Sequence, residues 1–442
     1  MSLGTNRRRR ASSTAPPAAG DAGGIVATAP AEPPGGARAW LVWGTAVSAY
    51  FLAMFHRNGM GVAALEAQER FAVGPALLSV LPMLQLLVYV VLQVPTGLLA
   101  DRVGPRRMLL MGLAAMALGV LLFAVAPNVQ AAVLGRVLIG VGDAVTFLNV
   151  IRLGALWFPR SRYALVSALT GTMGGLGQIT SVAPLSAALR GVGWTPSFLG
   201  AGAVTLVMAL LVALLVRDRP DGAVGAHGGI PMSVRASVTE ALRARGPRVG
   251  MAHHAAVMAP YTTLTVLWGY PFLVEGLGFT PAVASLLLTG LGIGTLWLSP
   301  VLGAVVGRAP RVRRPFAITL GTLLSAGWLA IAVWPGGPPP TPVVVAVLAV
   351  SAAGSVIAPA LSFDFARDGV PAHRTGVASG LVNMSGFTTT VIATLSAGLI
   401  LEIRPEPHDG AAFQTAFLPL AVMTALATAV LAVLLRRYPK RG

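Results

Sequence analysis

Apolar residues in this chain fall into long unbroken runs separated by short polar turns. From Trp40 onward twelve runs follow one another, at about 40–62, 76–99, 108–127, 130–156, 163–188, 197–216, 249–274, 282–306, 315–334, 342–366, 376–400 and 412–435. Each is near the ~20 residues that a helix needs to cross a bilayer. The pattern predicts an all-α membrane protein of twelve transmembrane helices. The longest internal polar segment, Arg217 to Arg248, divides them into two sets of six. The expected organisation is a disordered tail at 1–38, a six-helix bundle at 39–217, a central loop at 218–248, a second bundle at 249–436 and a short tail at 437–442. Within the loop, Val234, Val238 and Leu242 recur at four-residue spacing among arginines, which predicts a short helix lying on the membrane surface.

Composition sharpens this picture. Charged residues make up 11% of the chain and hydrophobic ones 55%, with a mean hydropathy of +0.75. Soluble domains carry about 25% charged residues, so a water-soluble globule is excluded. The formal net charge is +17, but the basic residues sit in short loops between apolar runs, so no nucleic-acid partner is expected. Arg7 to Arg10 precede no apolar region of signal-peptide type, and a tail touching anionic lipid is the better reading. Cysteine is absent. The Ala/Gly/Pro richness, with Lys440 as the single lysine, fits a GC-rich bacterial genome. Arg102, Arg106, Arg107, Arg160, Arg162, Arg308, Arg313, Arg314, Arg367 and Arg374 fall on one side of the predicted spans; Arg70, Arg190 and Arg404 fall on the other, beside Glu66, Glu69, Glu275 and Glu402. That asymmetry predicts both termini in the cytoplasm of a multi-pass inner-membrane protein.

Ionisable groups inside apolar helices are costly and need a reason. Arg136, Gly140 and Asp143 stand at i, i+4 and i+7, on one face of the fourth span. Two opposite charges on one stripe cannot both face lipid. They line the interior either as a proton-coupling site, whose protonation an arriving anion switches, or as a static network between helices. On the first span, Tyr50 and Arg57 share a face. Arg57 offers a rigid fork of donors suited to a carboxylate, or it pairs with a carboxylate of another helix. Asp364 lies three residues before Arg367, an interfacial pair or a gate. His253 and His254, at the start of the seventh span, read as packing residues, and no metal or other cofactor is expected.

The turn Gly97-Leu98-Leu99-Ala100-Asp101-Arg102-Val103-Gly104-Pro105-Arg106-Arg107 is a charged reversal between two apolar runs. It resembles the loop between the second and third helices of the major facilitator superfamily. A degenerate copy, Gly303 to Arg308, stands in the second half, as repeat-built transporters require. Arg136-x-x-x-Gly140-x-Gly142, Trp157-Phe158-Pro159 with Arg162, Gly193-Trp194 and Trp268-x-Tyr270-Pro271 look like the anion:cation symporter branch. The resemblance implies two six-helix bundles rocking about a central cavity. It implies that Arg57 and Asn58 bind a substrate carboxylate, with Tyr261 and Tyr270 as further contacts; Tyr50 is a candidate contact because it shares the face of Arg57. It also implies that Asp143 takes up the proton beside Arg136, with His56 where the branch commonly has Asp. Gly97, Asp101, Arg102, Gly104 and Arg106 would form the inner gate together with Asp364, Asp101 meeting the start of the eleventh helix near Arg374 to Gly376.

These readings lead to a secondary transporter, proton-coupled and taking up a small organic anion, with proton, anion and lipid as partners and a monomer as the working unit. The alternatives are a proton-driven exporter of drugs or metabolites, weakened by the missing glycines around Pro184, and a transporter-like membrane sensor. No P-loop, nucleophile elbow or HExxH cluster supports an enzyme.

Overall fold

The computed structural model describes residues 35–219, 234–308, 312–370, 375–404 and 408–436, and of these the side chains of 93, 94, 97, 98, 101, 102, 160, 163, 164, 234–237, 299–308, 358–360, 375 and 376 are left aside. The first half contains α1 (Ala37–Asn58), α2 (Ala64–Phe71), α3 (Pro75–Val103), α4 (Pro105–Val125), α5 (Val129–Trp157), α6 (Arg160–Thr180), α7 (Ala183–Val192) and α8 (Trp194–Leu215). After α9 (Val234–Arg243) the second half runs through α10 (Arg245–Thr263), α11 (Gly269–Pro271), α12 (Pro281–Arg308), α13 (Arg313–Val333), α14 (Thr341–Ala366), α15 (Thr375–Glu402) and α16 (Gly410–Arg436).

Ten of these helices are long and apolar enough to cross a membrane. The other two crossings are interrupted, and proline explains both. In the fifth, α6 stops at Thr180 and α7 resumes at Ala183; Pro184 has no N–H to give to the preceding turn, and its ring crowds that turn's carbonyl. In the seventh, Pro260 and Pro271 punctuate the chain, and π-helical turns at Leu264–Trp268 and Phe272–Gly276 flank α11. Such turns absorb the register error that a missing donor creates.

Two sequence boundaries change. The first apolar run continues to residue 62, but the helix ends at Asn58: Gly59 to Ala63 are buried without being regular helix, and the amphipathic α2 follows. The charged reversal at 97–107 is mostly helical. α3 runs on to Val103, α4 starts at Pro105, and Gly104 alone turns the chain, at φ +89. Only glycine takes that conformation without strain. The loop helix α9 does not simply lie on a surface. Its Ala241 is buried against Ala366, Ala378 and Val382 of α14 and α15.

The packing repeats between halves. α4 meets α8 as α13 meets α16, α1 meets α5 and α6 as α10 meets α14 and α15, and α3 meets α5 as α12 meets α14. The same correspondence relates the two crossings between halves, α3 on α15 and α12 on α6. Within the first half, α4 and α5 touch backbone to backbone. A Cβ added at Gly142 would lie 2.3 Å from the Gly112 carbonyl oxygen, and one at Gly119 would lie 2.6 Å from that of Gly135. Small residues permit this approach between helices in lipid, where hydrophobic contrast contributes little. The outward side of α8 carries Leu210 and Leu214, 57% and 68% exposed, an apolar surface suited to lipid.

The halves also join at the end opposite Gly104. The N–H of Ala76, in the first turn of α3, donates to Glu402 Oε2 at 3.1 Å, and the Ser186 and Ser285 hydroxyls are 3.0 Å apart. At the same end, burial raises the Glu66 carboxyl above the usual range, partly offset by Arg190.

Candidate substrate and coupling site

The deepest charges lie where α1, α3 and α5 converge. Arg57 stands in the last turn of α1 and Asp143 near the middle of α5. Arg57 Nε donates to Asp143 Oδ2 at 2.7 Å and Nη2 donates to Oδ1 at 2.7 Å. The arginine is 7% exposed and the carboxylate 0%, so a two-pronged ion pair is held out of water. Gly140 places α3 close by: a Cβ there would lie 2.8 Å from the Gln85 carbonyl oxygen. That approach lets Gln85 Nε2 donate to Asp143 Oδ2 across 3.4 Å. The Arg57 guanidinium lies over the Tyr89 ring at 4.2 Å and 5.7 Å from that of Phe387, and the two rings meet edge-on. Phe387 belongs to α15, so both halves contribute to the walls.

Arg136 shares the helix of Asp143 but not its ion pair. Its Nη1 donates to the His56 carbonyl oxygen at 3.3 Å, while Nε and Nη2 have no hydrogen-bond partner among the described residues. Its guanidinium sits 5.5 Å from the Phe123 ring. The His56 imidazole faces α8, with Nε2 2.8 Å from Thr205 Oγ1. Thr205 donates its own proton to Ala201 O, so His56 Nε2–H is the donor of that contact. Two buried guanidiniums thus face one buried carboxylate, an excess of one positive charge.

Of the other residues singled out from the sequence, Tyr50 lies within electrostatic reach of Arg57 and Asp143, its ring 5.2 Å from Phe147. Asn58 turns its amide back to Met54 O on its own helix. Tyr270 is packed into the core with Trp268 and Phe272, and Tyr261 is buried on α10. Asp364 pairs with Arg313 of α13 at 2.7 Å, and Asp368 takes the same arginine at 3.2 Å. The expected partner Arg367 is exposed beyond the end of α14. A buried arginine fixed over Phe365 is the stronger partner because it is already desolvated and positioned. His253 Nδ1 lies 2.7 Å from Ser362 Oγ.

At the Gly104 turn, the Arg106 N–H donates to Asp218 Oδ1 at 2.6 Å and its side chain to Ala213 O at 2.6 Å. Asp218 therefore takes one of the free N–H groups at the start of α4, a role that its place in the loop did not announce. Gly97, Asp101 and Arg102 lie on α3 where only the backbone is described, and Arg374 lies outside the described residues, as do the expected tails up to residue 34 and from 437.

A repeat-built bundle of twelve helical crossings, with a buried ionic centre in its first half walled by an aromatic ring of the second, defines a membrane carrier rather than an enzyme. The sequence pattern of the Major Facilitator Superfamily matches residues 46–387 and 251–442, and the chain belongs to that family of transporters. It is 25% identical over 181 residues to the probable sulfoacetate transporter SauU of Cupriavidus necator, covering 41% of this chain and 42% of that one. It is 26% identical over 181 residues to a protein of Agrobacterium vitis that carries the name of a tartrate transporter, covering 39% and 40%. The matched stretch thus spans less than half the length of either relative. Among solved structures, a bacterial homolog of the human lysosomal transporter Spinster superposes with a TM-score of 0.68 at 14% identity, covering 90% of this chain and 95% of that one. A D-xylose-proton symporter does so with 0.68 at 13% identity, covering 91% and 98%. These two likenesses speak for the fold.

Proposed function

We propose that this transporter takes up a small organic anion together with a proton, by alternating access, across a bacterial cytoplasmic membrane. The observation that carries the reading is the Arg57 fork closed on Asp143 with both prongs at 2.7 Å. A substrate carboxylate or sulfonate wants the same donors. Asp143 and the anion therefore compete for one guanidinium while Asp143 is ionised. A proton on Asp143 ends the competition and frees the fork. Proton and anion then favour each other's binding, and by linkage the favour is mutual. The surplus positive charge of Arg136 suits an anion further. The names of the sulfoacetate and tartrate relatives, both small organic anions, support the same substrate class.

In this reading Tyr50 and Tyr89 border the substrate, and Asn58, Tyr261 and Tyr270 keep the walls of the cavity in place. The Gly97–Arg107 turn, with Asp101 against the start of α15, forms the cytoplasmic gate, and the Arg313–Asp364 pair stiffens the same end. The chain works as a monomer with both termini and the 218–248 loop inside.

The test uses protein reconstituted in vesicles with a panel of labelled carboxylates and sulfonates, tartrate and sulfoacetate among them. Asp143→Asn imitates the protonated state permanently. It should exchange anion across the membrane at a rate near that of the unaltered protein, yet lose uptake driven by a pH gradient. Accumulation that survives in Asp143→Asn moves coupling to His56 or Asp364. Proton-driven movement in the opposite direction establishes export instead.

A further inference from the structure

The proton acceptor needs a second partner that the ion pair does not supply. An ionised carboxylate only accepts hydrogen bonds, and Asp143 has its two from Arg57. Once protonated it becomes a donor, and in a buried site that O–H must find an acceptor. The amide of Gln85 lies beside it. Its Nε2 makes only the 3.4 Å contact to Asp143 Oδ2, and its Oε1 is buried with no hydrogen-bond partner among the described residues. The residue is 0% exposed, so that oxygen is out of reach of bulk solvent. Half a turn about the terminal bond of the side chain exchanges oxygen for nitrogen and gives up only the long contact.

We propose that Gln85 is the positioning residue for the protonated form of Asp143: its amide donates to the carboxylate in the ion-paired state and, turned over, accepts the acid proton after Arg57 is released. The inference rests on the reading of Asp143 as the coupling carboxylate. In the step itself a proton from the aqueous side forms one O–H bond on Asp143, and the carboxylate charge is cancelled. The two N–H donations from Arg57 end, and one O–H donation to Gln85 Oε1 begins. The other groups around Asp143 are placed for other contacts. Arg57 on α1 and Arg136 on α5 are donors only. His56 turns its ring to Thr205 of α8. Tyr50 packs on Phe147 with its hydroxyl against Gly174 of α6, and the Tyr89 ring lies under Arg57. α4 meets α5 through Gly112 and Met116, and α15 presents Phe387.

The experiment needs no knowledge of the substrate. Infrared difference spectra of the purified transporter are recorded across a pH titration, and the carboxylic-acid band that disappears in Asp143→Asn is taken as Asp143. In Gln85→Met, which keeps length and volume but loses the amide, that band should require a roughly fivefold higher proton concentration to appear, the worth of about one net hydrogen bond. Gln85→Asn, which withdraws the amide by one methylene, should move it the same way. In unaltered protein carrying isotope-labelled glutamine side chains, an amide carbonyl band should shift over the same pH range as the acid band. A titration unmoved in the folded variants overturns the inference. A glutamine band that stays constant while the acid band grows overturns it without any substitution. If no band is lost in Asp143→Asn at all, the coupling reading fails, and this proposal with it.

Discussion

Arg57 is worth more to this site as a shape than as a charge. Lysine would keep the positive charge but present a flexible ammonium in place of two parallel donors. Arg57→Lys should therefore weaken anion binding about tenfold to a hundredfold, measured by equilibrium binding to the transported anion. Arg57→Ala goes further, because it takes both N–H donors away from a carboxylate buried out of water. Breaking such a buried pair costs about 3–5 kcal/mol, so its thermal unfolding should fall well below that of Arg57→Lys. Both members of the pair were legible in the sequence, since each is an ionisable group inside an apolar run. That Arg57 pairs with a carboxylate of another helix was one of the two sequence readings; which carboxylate was not legible, because 86 residues separate the two and Arg136 stood seven positions from Asp143 on the same helix. Gln85, Tyr89 and Phe387 left no signal, because neutral side chains within bilayer-length runs look like any other wall. Tyr270 shows the converse, a motif residue that the fold uses in its core.

Among the elements, α4 and α5 are held close at Gly112, Gly119, Gly135 and Gly142. Leucine at Gly142 would drive into the Gly112 backbone and the Met116 side chain. Overpacking typically costs about 1–3 kcal/mol, and contact with backbone lies at the upper end. Gly142→Leu should lower the melting temperature in detergent clearly, whereas Gly171→Ala, which meets nothing within 4 Å, should raise it slightly through helix propensity. The sequence showed where the helices lie because lipid imposes length and hydropathy on each of them. It showed their ends poorly. The apolar Met60 and Val62 are buried beyond the end of α1, so hydropathy continues where hydrogen bonding stops, and α2 went unread because eight residues are too few to form a run.

At the scale of the molecule, the correspondence of helix contacts between halves follows from the repeated pattern of six apolar runs. The degenerate second copy of the charged turn pointed to that repeat. What no linear pattern carries is how the halves meet. Glu402 reaches the first turn of α3 from the last residue of α15, and Ser186 meets Ser285. These contacts depend on which faces the two bundles turn to each other. Charge asymmetry of the loops predicts a sidedness, but not which residues seal that side.

The two-to-one ratio of guanidinium to carboxylate in the buried centre also sets how the carrier responds to membrane voltage. Empty, Arg57, Arg136 and Asp143 sum to one positive charge. In the proposed symport, one proton and one monoanion aboard bring the sum to one positive charge again, so such a cycle moves no net charge. A dianion carried with a single proton brings the sum to zero, and each turnover then imports one negative charge against a potential that is negative inside. Moving one elementary charge through 100 mV is worth about 2.3 kcal/mol, enough to slow or reverse accumulation. Imposing a potassium diffusion potential on the same vesicles should leave monoanion uptake unchanged and depress that of a dianion such as tartrate. A monoanion flux that follows the potential would mean that the site carries a different number of protons from the one its single carboxylate allows.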